Sequence, residues 1–152
     1  MKTFLIILTL VLAFSGCSQK TAFSRFEMSQ KQELGADSLQ RSKLGFENKV
    51  NGIVSIIYLN MVFPEVYNDD EYFYINSYVK DKGFSSQFLL NNQEPTKIEK
   101  LTPFNKFTHL MHTKEKWSEY YLVVFSKQGD KLNFVLKNGP YSSNLLRFEK
   151  DE

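Results

Sequence analysis

Residues 71–80 read EYFYINSYVK. Phe73, Ile75, Ser77 and Val79 occupy one set of alternating positions, and Tyr72, Tyr74, Asn76, Tyr78 and Lys80 the other. Successive side chains of a strand point to opposite faces, so this alternation predicts a strand with the first set turned into a core and the second outward. Upstream, IVSIIYLNMVF at 53–63 is β-branched and apolar on both sets of positions, as expected of a central strand covered on two faces.

Downstream, DKG at 81–83 is a turn signal, and SSQFLLN at 85–91 reads as the strand that returns alongside 71–80. TKIEKL at 96–101 follows Pro95 as a shorter candidate. SEYYLVVFSK at 118–127 is strongly strand-forming, and KQGD at 127–130 turns it back into KLNFVLK at 131–137. NGP at 138–140 interrupts again, and SSNLLRFEK at 142–150 alternates with Leu146 and Phe148 opposite Leu145 and Arg147. Seven to eight short strands with turn signals between them predict an all-β fold, most simply an immunoglobulin-like β-sandwich, with a small barrel as the alternative.

The N-terminal third is built differently. Met1 and Lys2 precede an apolar run from Phe4 to Phe14, followed by Ser15 and Gly16. A positive start, a short apolar core and a small-residue exit are the parts of a secretory signal peptide. The run is well short of the roughly 20 residues a membrane-spanning helix needs. From Ser18 to about Gly52 the chain is rich in Gln, Lys, Ser and Glu. It reads as a tether, either flexible or carrying short helices, of which ADSLQRSKL at 36–44 is one candidate. The expected organisation is a signal peptide at 1–16, a tether at 17–51 and a β-sandwich domain at 52–152.

The one cysteine of the chain, Cys17, stands directly behind the apolar run in the sequence FSGC. This stretch resembles the lipobox of bacterial lipoproteins, with Phe14 where leucine is usual. The resemblance implies cleavage after Gly16, diacylglyceryl transfer to the Cys17 sulfur and acylation of the new amino terminus, with palmitate as a typical chain. Several acyl chains on one residue hold a protein to a bilayer far longer than one chain does. By the same resemblance Ser18, which is not the aspartate of inner-membrane retention, implies an outer-membrane location in the bacterial cell envelope. With Cys17 lipidated no internal disulfide can form, and stability must come from packing. The supply of rings is generous, with 14 Phe and 8 Tyr. A formal net charge of +2 does not indicate nucleic-acid binding.

Few residues point to chemistry. His109 and His112 are the only histidines, and HLMH would present both to a metal only on a helical turn. NDDE at 68–71 gathers three carboxylates but lacks the spacing and glycine of a calcium loop, and reads as a solvated turn. There is no Gly-x-Ser-x-Gly elbow and no Gly-rich phosphate loop. The expectation is no metal, no cofactor and no catalytic residue. The outward stripe Tyr72, Tyr74, Tyr78 is the candidate protein-binding surface, because tyrosine is rigid, amphipathic and enriched at interfaces. The alternative is that these tyrosines are covered by other elements or stiffen the sheet. An open sheet edge offers a second route to a partner, by strand addition.

The segments YLNMVFPEVY, FLLNNQEPTKIEKL, WSEYYLVVF and LLRFEKD, within Phe46 to Asp151, are similar to small lipoproteins of Campylobacter-type bacteria with an immunoglobulin-like sandwich. That similarity implies a fold and carries no catalytic residues. Trp117 precedes a strand as the buried tryptophan of antibody domains does, without the accompanying cysteines. The function expected from these readings is a lipid-anchored, non-enzymatic protein-binding module of the envelope, serving adhesion or assembly. The alternative is a periplasmic accessory, chaperone or inhibitor lipoprotein; a hydrolase has no motif in its favour.

Overall fold

The structure, a computed structural model, describes residues 22–111 and 115–150, with side chains from residue 30 onward. Cys17, the signal segment and His112 lie outside the described residues. The chain divides into two units, Met1–Gln30 and Lys31–Glu152. Of the first unit, residues 22–30 are helical and begin α1 (Ala22–Asp37).

The second unit holds the end of α1 and nine strands: β1 (Leu39–Phe46), β2 (Lys49–Tyr58), β3 (Glu71–Val79), β4 (Ser86–Leu90), β5 (Lys97–Leu101), β6 (Glu119–Phe125), β7 (Lys131–Asn138), β8 (Tyr141–Ser142) and β9 (Leu146–Glu149). Two single-turn helices, α2 (Leu59–Val62) and α3 (Thr108–Met111), lie between strands. All neighbours are antiparallel, in the order β4-β7-β8-β1-β2-β3-β6-β5, with β9 also paired to β7. The sheet curls into a half-barrel. The all-β expectation therefore holds, and the two layers are limbs of one sheet, continuous through β8 and β1.

Alternation explains the inner core. Val54, Ile56 and Tyr58 of β2, Phe73 and Ile75 of β3, and Val123 and Phe125 of β6 face Phe134 of β7 and Phe148 of β9. Phe73 is the centre: its ring lies 5.1 Å from Phe134, 5.8 Å from Phe125 and 5.4 Å from Phe148. Aromatic rings packed edge-on or tilted add to the area they remove from water. A second core covers the opposite face of β2, β3 and β6. There Ile57, Tyr74 and Tyr120 are buried under Leu59 and Val62 of α2, and under Phe107 and Leu110 in and before α3.

Several expectations change. The polar stretch 39–51 is neither tether nor helix: LQRSKLGF forms β1, paired with β2 from Leu39↔Ile57 to Phe46↔Lys49. Backbone pairing carries this strand, since only Ser42 and Leu44 of it are buried. This strand and the two-residue β8 bring the count to nine. The apolar run 53–63 is strand only to Tyr58, where α2 begins. β4 does not return beside β3 but pairs with β7, Ser86↔Asn138 to Leu90↔Phe134. Nor do β6 and β7 form a hairpin; β6 lies between β3 and β5. Both connections cross from one limb to the other, so each limb receives strands distant in sequence.

Candidate functional site

The tyrosine stripe is not one exposed surface. Tyr74 is 0 % exposed, stacked 6.4 Å from Tyr120 and 5.2 Å from Phe107. Burial raises its phenol pKa, partly offset by the Asn105 amide that donates to its hydroxyl at 3.3 Å. Tyr72 is half-buried against Tyr67, and its hydroxyl donates to Asp69 at 2.9 Å. Tyr78 alone is open, at 40 % exposure, beside Ile53 on β2. The outward face of β3 is thus mostly the floor of the second core. His109 is exposed on α3, while its partner in the HLMH motif lies outside the described residues. Among the described residues no group of three or more His, Cys, Asp or Glu is placed to hold a metal ion.

NDDE is not a uniformly solvated turn, because Glu71 is 1 % exposed. Its Oε1 accepts from Lys150 Nζ at 2.6 Å and from the Gln128 backbone N–H at 2.7 Å; its Oε2 accepts from the Tyr58 hydroxyl at 2.5 Å. Burial, and then the neighbouring carboxylate, pushes the Tyr58 phenol well above its ordinary pKa. A buried carboxylate needs this many donors. A cleft of about 410 Å³ opens beside the cluster, with Asn60, Asp70, Lys127 and Lys150 among its walls. Two of its polar side chains are already engaged: Asn60 donates to the Asp70 carbonyl at 2.6 Å and accepts from the Tyr72 N–H at 2.9 Å, and Lys150 also donates to the Gln128 carbonyl at 2.7 Å. The cluster ties the start of β3, the β6–β7 connection and the end of β9 together, and its chemistry is that of a structural knot.

The other end of the sheet path is different. Among the described residues β7 is the only strand beside β4 and β6 the only strand beside β5, so the half-barrel ends in two edges without a further strand, apart from a bridge between Leu90 at the end of β4 and Gln93. A cleft of about 540 Å³ has Ser86, Gln87 and Phe88 of β4 on its walls together with Ile98 of β5. An adjoining cleft of about 330 Å³ shares Ser86, Phe88 and Ile98 with it and adds Trp117, Tyr121 and Asn138. Ile98 sits opposite Val123, on the core side of β5, yet is 50 % exposed. Its face would be covered if the barrel closed. Trp117 is 61 % exposed at the same seam, unlike the buried tryptophan of antibody domains.

Local chemistry holds the seam open and shaped. Phe84 lies over Gly139, whose φ of +57° suits glycine and where a Cβ would fall 2.5 Å from the ring. The Asn138 amide donates to the Phe84 carbonyl at 2.9 Å and to the Ser86 hydroxyl at 3.3 Å. The Tyr121 hydroxyl donates to Glu119 at 2.7 Å, and Lys100 Nζ donates to the other oxygen at 2.6 Å. Lys100 first, then Tyr121, holds the Glu119 carboxyl below its usual range; burial, then Glu119, raises the Tyr121 phenol. Such a seam can take an apolar side chain and pair backbone groups. Nothing in the sequence pattern marks it, because what makes it a site is the absence of a strand between β4 and β5. Phe84, Ile98 and Trp117 carried no periodic signal that separated them from core residues. No family model matches the chain, and no curated protein or solved structure is similar enough to it to count as a match.

Proposed function

We propose that this chain is a lipid-anchored, non-enzymatic protein-binding module of the bacterial cell envelope, and that the seam between β4 and β5 is its binding surface. One observation carries the binding part: two edges without a further strand flank clefts whose walls are core-type side chains left open to water. Strand edges recruit further strands, and exposed apolar surface rimmed by polar groups is favourable to bury against a partner. The anchor is supported by the FSGC motif at Cys17 behind the apolar run. No helix among the described residues is long and apolar enough to cross a membrane. The seam replaces the tyrosine stripe as the proposed contact surface, since Tyr74 is a core residue.

The test is retention of envelope proteins by the full chain in detergent, compared between wild type, Ile98→Ser with Trp117→Ala, and Arg41→Ala as a control on exposed β1. Loss with the seam variant and retention with the control is expected. Equal capture by all three contradicts the assignment of the surface. Labelled palmitate should enter the wild-type chain and not Cys17→Ala.

A further inference from the structure

We infer that the partner taken at the seam is a second copy of this chain, joined edge to edge through β5 in antiparallel register with Ile98 opposite Ile98; this rests on the protein-binding reading above and names its partner. Of the two edges, β5 is the more open. Its residues from Lys97 to Lys100 are all exposed, whereas the Leu90 end of β4 already exchanges two backbone hydrogen bonds with Gln93, at 3.0 and 2.9 Å. Lysine on an edge ordinarily deters a further strand. Here Lys100 is held by Glu119 at 2.6 Å, and Lys97 and Glu99 flank the apolar Ile98 with opposite charges.

Charge selects the register. Two identical strands pair antiparallel about a two-fold axis, and both copies keep their core-side residues on one side of the joined sheet only when a residue lies opposite itself. Centring on Lys97, Glu99 or Lys100 sets like charges directly opposite each other, which is destabilising. Centring on Thr96 or Leu101 brings Pro95 or Pro103, which have no N–H, into the ladder. Centring on Ile98 has neither fault. Lys97 then lies opposite Glu99 of the second copy, Glu99 opposite its Lys97, and Lys100 opposite the neutral Thr96. Lys97 and Glu99 are already 3.2 Å apart along one strand, so each charge gains a second counter-charge across the pair. The two Ile98 side chains, each half-exposed on the core side of its own strand, cover one another beside the cleft that Trp117 also lines. Anchorage of both copies in one bilayer raises their effective concentration, so a short ladder is enough.

The experiment is disulfide trapping of the full chain in whole cells under mild oxidation, with the wild type as background. Opposed residues of an antiparallel pair have Cα atoms about 4.5–5.5 Å apart, within the span a disulfide bridges. Ile98→Cys should give a covalent dimer by itself. Lys97→Cys and Glu99→Cys should each give little alone and a dimer when expressed together. In the Ile98→Cys background, Lys97→Glu or Glu99→Lys should lower the yield about tenfold, and the two exchanges combined should restore it. Both positions are exposed, and an unchanged unfolding transition verifies the fold. Equal self-trapping at 97, 98 and 99, indifference to the charge exchanges, or trapping of a different protein by Ile98→Cys in place of the dimer overturns the inference. No dimer alongside seam-dependent capture of other envelope proteins sinks the self-pairing alone; no dimer and no capture sinks the binding reading too.

Discussion

Lys150 Nζ lies 2.6 Å from Oε1 of Glu71, joining residues 79 positions apart in the chain. Glu71 is buried at the start of β3, and Lys150, just past β9, is partly open at 23 %. The asymmetry has an energetic consequence, because the two partners are not equally able to return to water.

Lys150→Met should destabilise the fold by about 3 kcal/mol or more, since it leaves a buried carboxylate with only neutral donors. Glu71→Gln should cost less, because Lys150 can rehydrate. The double variant should be more stable than Lys150→Met alone. Urea denaturation of the three proteins checks the order; equal losses would mean that the pair is not buried as described.

The tyrosines of β3 should separate cleanly. Tyr74→Ser empties a site in the second core and should cost about 3 kcal/mol or more. Tyr78→Ser should cost under about 0.5 kcal/mol, as an exposed position does. Tyr72→Ser should fall between them, losing the Tyr67 contact and the Asp69 hydrogen bond. Similar losses at all three positions would contradict the covered face.

Two glycines give a paired prediction. A Cβ at Gly52 would overlap the Tyr78 carbonyl oxygen, so Gly52→Ala forces β2 and β3 apart and should cost about 2 kcal/mol. Gly139→Ala instead pushes on the Phe84 ring, and should weaken protein capture at the seam by more than its effect on unfolding accounts for. Denaturation and capture of envelope proteins measured on both variants distinguish the two.

Alkaline pH should unfold the protein early. The phenols of Tyr58, Tyr74 and Tyr121 all have pKa values raised in the folded state, by burial first in each case. A group whose folded pKa is raised contributes stability that is present below its unfolded pKa, about 10 for tyrosine, and lost as pH rises beyond it. Denaturation midpoints should therefore fall above about pH 10, with phenolate absorbance appearing together with unfolding. Ionisation of all the tyrosines in a still-folded protein would contradict this.

How much was legible follows from what each signal depends on. Alternation alone places Phe73 and Ile75 inward and sets Leu146 and Phe148 on one face together, and all four are in the inner core, because one neighbouring layer decides the pattern. The same alternation put Tyr74 outward, and it is outward; the sequence pattern could not show that Phe107 and α3 fold over it. β1 escaped notice because backbone pairing to β2 makes it a strand, while most of its side chains meet water. Pairing of β4 with β7 is non-local: the Asn138 amide holding the Phe84 carbonyl spans 54 residues. The Glu71 cluster and the seam are products of such closures, so neither has a local motif.

The most direct test of the central claim is photo-crosslinking in living cells with a light-activated residue placed at Ile98, and separately at Arg41 on β1. The account predicts a discrete protein adduct at position 98 that disappears with Trp117→Ala, and none at position 41. No adduct at position 98, or the same adducts at both positions, would contradict it.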